Sequence, residues 1–195
     1  MKKTAQTYQY KVADSILGKT QDEYAFSENE YYRIYSFFVT YSMCGTQSAK
    51  KRTFSDYGWS VENVKNTTLG VALENVLNLN RNPDFVFTDK DELAIQFNSK
   101  DLPDGALMDV DKERAVISKT SEKNKYLKLF YRIRNGFAHG KFILRLSSQN
   151  EKMVIIQDDN GHNVTARIVI KLKTLLNYVN TVDINGLTLY SLRQG

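Results

Sequence analysis

The sequence predicts a mainly α-helical fold, a helical bundle carrying a small antiparallel β appendage after its principal helix. Three observations support that expectation. From Ser121 onward, Tyr126, Leu129, Phe130, Ile133 and Phe137 recur at i, i+3, i+4, i+7 and i+11, the spacing of one buried helical face. Ser27-Glu28-Asn29-Glu30 is a capping box in front of an aromatic run of helical period. After Gly140 the pattern changes to β-rich runs, Phe142 to Leu146, Met153 to Gln157 and Val164 to Ile170, with Asp158-Asp159-Asn160-Gly161 as a hairpin turn.

Composition sets the bounds. With 195 residues, 42% of them hydrophobic and only two prolines, the chain fits one globular domain over 1–195 with a sizeable core. A net charge of +5 favours a polyanionic partner. The single cysteine, Cys44, excludes an internal disulfide framework and fits a reducing compartment. No apolar run approaches the roughly 18 residues of a membrane span, and Met1-Lys2-Lys3-Thr4 does not lead into a signal segment. The expected location is the cytoplasm.

Taken in order, residues 5–20 fit either a short helix or a strand. Gly18-Lys19-Thr20 invites a phosphate-loop reading, but the first glycine of that motif would stand at Ala13, so the reading fails. The helix opened by Ser27 runs to about Cys44 and turns Tyr31, Ile34, Tyr35, Phe38 and Tyr41 or Ser42 to the core. Its other face carries Tyr32 and Phe37, a candidate second contact. Residues 46–60 form a polar loop with Lys50-Lys51-Arg52, anchored by Trp59. Ser60 caps a helix over about 61–79 despite Gly70.

Between 80 and 120 the sequence is least informative. Phe85-Val86-Phe87 fits a short strand or a buried loop segment, Asp91 to Asn98 a short helix, and Pro103-Asp104-Gly105 a turn. Asp109, Asp111 and Glu113 lack the glycine turn of a calcium loop and read as solvated charge, so neither a metal nor a cofactor is expected. A closing helix over Lys171 to Val182 packs Leu172, Leu175, Leu176 and Val179. Its neighbour His162 sits just past the hairpin turn, an exposed position of low chemical promise.

The principal helix, about 121–140, carries the chemistry. Ser118, Thr120 or Ser121 can cap its start, and Gly140 suits the left-handed residue that closes it. Lys125, Lys128, Arg132, Asn135 and His139 form a second stripe nearly opposite the apolar one. Asn135 and His139 are four apart, so the amide can orient the imidazole. Histidine is the side chain suited to proton exchange near neutral pH, and Arg134 offers a forked donor for phosphate oxygens. A base, an orienter and a phosphate clamp within six residues suit metal-free cleavage of RNA. One geometric difficulty accompanies this: in a regular helix Arg134 and His139 lie about 140° apart. Either the backbone departs from helix near Gly136, or two chains combine their halves in a homodimer.

The run Arg134-Asn135-x-x-x-His139-Gly140 at the end of an amphipathic helix resembles the signature of the HEPN superfamily (higher eukaryotes and prokaryotes nucleotide-binding domain). The resemblance covers roughly Ser121 to Phe142. It implies a helical bundle, a dimer with facing motifs, and metal-independent endoribonuclease activity in toxin–antitoxin or phage-defence systems. One subgroup has a tyrosine two residues after the histidine; here that position is Lys141, so its modification does not carry over. On this reading His139 is the general acid or base, Arg134 the clamp and Asn135 the orienter. Lys128, Tyr131, Arg132 and Lys141 are further RNA contacts. RNA and a second copy are the expected partners, and an antitoxin protein is a candidate. The alternative is a non-catalytic module of the same fold that binds RNA, nucleotide or protein.

Overall fold

The computed structural model describes residues 16–17, 26–42, 55–57, 59, 68–105, 107, 109–119 and 124–186. Its helices are α1 (Glu28–Tyr35), α2 (Thr68–Leu77), α3 (Leu93–Ser99), α4 (Lys125–Ala138) and α5 (Leu172–Val182). Its strands are β1 (Phe85–Thr88), β2 (Arg114–Ser118), β3 (Phe142–Leu146), β4 (Lys152–Asp159) and β5 (Val164–Lys171). All five strands form a single sheet in the order β1-β2-β5-β4-β3, with β1 parallel to β2 and the other pairs antiparallel.

That sheet corrects the expected fold class. The chain is not a mainly α bundle with a β appendage; it is a mixed α/β fold organised on a central sheet. The strands after the main helix are where their β-rich runs placed them. What the pattern did not announce is that β2, from before the helix, pairs with β5 through Ala115↔Ile168 and Ile117↔Ala166. This pairing joins β1 and β2 to the three later strands, so α4 packs on a sheet built from both sides of it in sequence.

Both sheet faces are covered, which is why the strands are almost wholly buried. Ala115, Ile117, Val154, Ile156, Ala166, Ile168 and Ile170 face a core shared with α1, α2, α4 and α5. Val116, Met153, Ile155 and Val169 face a second core completed by Leu93 and Phe97 of α3 and by Leu102, Leu107 and Val110. Three buried arginines tie that second layer down. Arg114 donates to the carbonyls of Asp101, Asp109 and Lys112, Arg145 to that of Leu107, and Arg167 to that of Leu102 and to Asp104. The Arg167 guanidinium also lies 4.6 Å over the Phe97 ring. The expected solvated acids serve here as connectors: Asp111 accepts from the Ser148 backbone N–H, and Glu113 from that of Lys171.

The first helix begins as expected, with Ser27 and Glu30 completing the capping box. It then passes into a π-helical turn, Ser36–Thr40, in which Tyr41 N–H bonds to Ser36 O. The extra residue in that turn shifts the helical phase. Phe37, expected on the other face, enters the core beside Phe38, whereas Tyr31, expected in the core, is exposed together with Tyr32. Trp59 anchors its segment by donating to Val182 O at 2.8 Å. The expected α2 start at Ser60, the Lys50-Lys51-Arg52 loop, Cys44, Gly18-Lys19-Thr20, and Thr120 and Ser121 as caps all lie outside the described residues.

Candidate active site

Helix α4 starts from Asn124, whose side chain accepts from the backbone N–H groups of Tyr126 and Leu127. Ser118, an expected cap, is instead the last residue of β2. The buried stripe is the one the spacing gave, with Leu129, Phe130, Ile133 and Phe137 at 2% exposure or less. The second stripe is not a row of solvated cations. Lys128 is buried, and Arg132 and Asn135 reach Asp158 of β4, Arg132 also Thr165 of β5.

The closest approach is at Gly136, where a Cβ would overlap the Ile156 Cγ2 methyl of β4. Glycine is required there for contact rather than for bending, because α4 continues as regular helix through it to Ala138. The helix ends in a closed turn: Gly140 adopts φ +65, its N–H bonds to Phe137 O at 3.2 Å, and Lys141 N–H bonds to Gly136 O at 2.8 Å. This turn holds His139 as the C-cap, exposed, with its backbone N–H engaged by Asn135 O and Phe137 O. Among the described residues its imidazole makes no hydrogen bond.

Arg134 is half-buried. Its Nη1 donates to Asn135 Oδ1 at 3.0 Å, its Nε is buried without a hydrogen-bond partner, and no carboxylate of the described residues pairs with it. The Asn135 amide, expected to orient the imidazole, is engaged elsewhere: Nδ2 donates to Asp158 Oδ2 at 3.4 Å. The same oxygen accepts from Arg132 Nη1 at 2.7 Å and from Thr165 Oγ1 at 2.8 Å. Past the histidine, Lys141 pairs with Asp159 at 2.6 Å. Burial opposes ionisation of Asp159, but the Lys141 ammonium and the Gly161 backbone N–H outweigh it and hold the carboxyl below its ordinary value.

Of the expected RNA contacts, then, Tyr131 is exposed, whereas Lys128 is buried and Arg132 and Lys141 are already paired with carboxylates. Arg134, bonded only to the neutral Asn135 amide, and His139, with no side-chain bond among the described residues, are the groups of the motif left without a charged partner, on different sides of one helix end. The residue that sequence reasoning missed is Asp158, 2% exposed and read only as part of a turn. A buried carboxylate requires cations, and the stripe of Arg132 and Asn135 was the available sign that α4 needed an acceptor beneath it.

A cleft of about 650 Å³ opens at the other end of α4, lined by Glu74, Asn75, Asn78, Asn80, Arg81 and Tyr126 among others. Tyr126 donates to Glu74 there, and burial together with that carboxylate pushes its phenol well up. The cleft contains neither Arg134 nor His139.

The family model described as HEPN pEK499 p136 matches residues 8–184. The chain belongs to this HEPN family. The match extends well beyond the Arg134–His139 motif and takes in the sheet as well as the helices. No curated protein and no solved structure matches the chain. HEPN-domain proteins are often ribonucleases or toxins, and they often dimerise and bind RNA. Among the described residues of this HEPN protein, no helix is long and apolar enough to cross a membrane.

Proposed function

We propose that this HEPN protein is a metal-independent endoribonuclease whose active site is shared between two copies of the chain, acting on RNA in the cytoplasm in a toxin–antitoxin or phage-defence role. One observation carries the reading: among the described residues, a guanidinium with no carboxylate partner and an imidazole with no hydrogen bond stand at the end of the same helix. Regular helix through Gly136 favours pairing of two copies over a kink within one chain. Two-fold pairing supplies the alternative. Leu127, Tyr131, Arg134 and Ala138, at i, i+4, i+7 and i+11, form a stripe of α4 that is half-buried or exposed. A second copy laid against that stripe presents its own His139 to the first copy's Arg134.

In the reaction, His139 takes the proton of the 2′-hydroxyl as that oxygen attacks phosphorus. The P–O5′ bond breaks, the leaving oxygen takes a proton from water, His139 returns its proton to solvent, and a 2′,3′-cyclic phosphate remains. Arg134 stabilises the charge that builds on the phosphoryl oxygens. Tyr131, about one turn before Arg134, would line the cleft between the two copies and contact RNA there.

A binding-only role is favoured by one observation, the engagement of the Asn135 amide away from His139. It predicts salt-sensitive RNA binding that survives His139→Ala without cleavage. Incubation of total RNA in EDTA with wild type, His139→Ala and Arg134→Ala separates the two. Cleavage by wild type alone, with cyclic phosphate ends, supports the nuclease; binding without cleavage by any of them supports the module.

A further inference from the structure

We infer that Asp158 is a positioning residue for Arg134, acting through the Asn135 amide, and that Arg132 is its counter-charge. The inference rests on the reading of Arg134 as the phosphate clamp.

Hydrogen-bond polarity fixes the direction of the relay. A carboxylate only accepts and a guanidinium only donates, so neither end can be reversed. Asn135 stands between them, giving Nδ2 to Asp158 at 3.4 Å and receiving Arg134 Nη1 on Oδ1 at 3.0 Å. The amide thus converts a buried negative group into a neutral acceptor beside Arg134. A carboxylate placed directly against Arg134 would compete with phosphate for the same donors. The amide steers the guanidinium without neutralising it, leaving Nε unpartnered.

The anchor is built to be rigid. Asp158 Oδ2 receives Arg132, Thr165 and Asn135 together, and Arg132 Nη1 also donates to Thr165 at 3.0 Å. Thr165 reaches that side only through a break in the ladder. Register passes from Asp158↔Ala166 to Asp159↔Val164, so Thr165 has no partner across the strands. Regular alternation from Ala166, which faces the helices, would turn Thr165 to the opposite face. The bulge turns it to Asp158 instead. The position of the clamp is therefore set from the end of a hairpin, 23 residues beyond Asn135 in the chain.

The test follows the Nε–H signal of Arg134 by NMR in the full chain, alongside cleavage kinetics. Asp158→Ala should release the Arg134 signal to the exchange-averaged position of mobile arginines and lower kcat on the order of tenfold. Asp158→Asn, whose amide oxygen can accept the same three bonds, should keep the signal in place and most of the rate. In an Arg134→Ala background, Asp158→Ala should add less than about twofold, whereas independent structural damage would multiply. If Asp158→Ala does not fold, Asn135→Ala cuts the same relay with the Arg132–Asp158 pair intact and gives the same signal. An Arg134 resonance unmoved in either folded variant overturns the inference. Should the wild type cleave no RNA, the nuclease reading falls, while the Arg134 signal still decides whether Asp158 positions it.

Discussion

Gly136 of α4 and Ile156 of β4 touch so closely that no side chain fits between them: the first carbon of one would fall on the Ile156 Cγ2 methyl. Helix and strand meet here two residues after Arg134 and about one turn before the closing Gly140. Gly136→Ala should therefore lift the motif off the sheet, destabilising the fold by about 1–3 kcal/mol despite the better helix propensity of alanine. Urea unfolding of Gly136→Ala, Ile156→Ala and the pair checks this. The pair should lose less than the sum of the singles, because removing the Ile156 methyl makes room for the new one.

Arg132 should act on stability rather than on RNA. Its Asp158 partner is 2% exposed at the side chain, so Arg132→Ala leaves a buried carboxylate without its cation. Loss of about 3 kcal/mol in unfolding free energy is expected. The salt dependence of RNA binding should be unchanged in Arg132→Ala and shallower in Arg134→Ala, which a titration at several salt concentrations measures.

The Lys141–Asp159 pair fixes how the turn after His139 responds to acid. Asp159 ionises below its ordinary value of 3.8 in the folded chain. The unfolded state thus takes up its proton first as pH falls, so the pair's contribution is complete above 3.8 and is lost as pH drops through the lower folded value. Thermal melts of wild type and Asp159→Asn should differ most above that pH and converge below it.

Single replacements of Arg134 or His139 should remove most of the chemistry without unfolding. His139→Ala removes an exposed side chain, and Arg134→Ala one that pairs with no carboxylate among the described residues. Each should lower the cleavage rate on the order of 10²-fold or more, with melting temperatures near wild type.

What the sequence disclosed was local. Ser27 and Glu30 cap α1 three residues apart, and Leu129, Ile133 and Phe137 recur within one helix, so short-range spacing was enough. The sheet was not local. β2 is five residues long and opens on Arg114, a fully buried arginine whose partners are backbone carbonyls, so its short apolar run, Ala115-Val116-Ile117, is hidden behind the charges of Asp109, Asp111, Glu113 and Arg114. Its strand partner β5 lies some fifty residues on, and only that pairing reveals a central sheet in place of an appendage. The site divides the same way. Arg134 and His139 stand out by type and spacing, whereas Asp158 acquires its role only when β4 is laid beneath α4. The phase shift that buries Phe37 likewise depends on a π turn that periodicity alone does not mark.

On the shared-site reading, Arg134 of one copy works with His139 of another. Mixing inactive Arg134→Ala with inactive His139→Ala, under conditions that let subunits exchange, checks this by complementation. Random exchange makes half of the dimers mixed, and each mixed dimer holds one intact site, so about a quarter of wild-type RNA cleavage should return. No recovery from a mixture shown to contain mixed dimers would contradict the shared site.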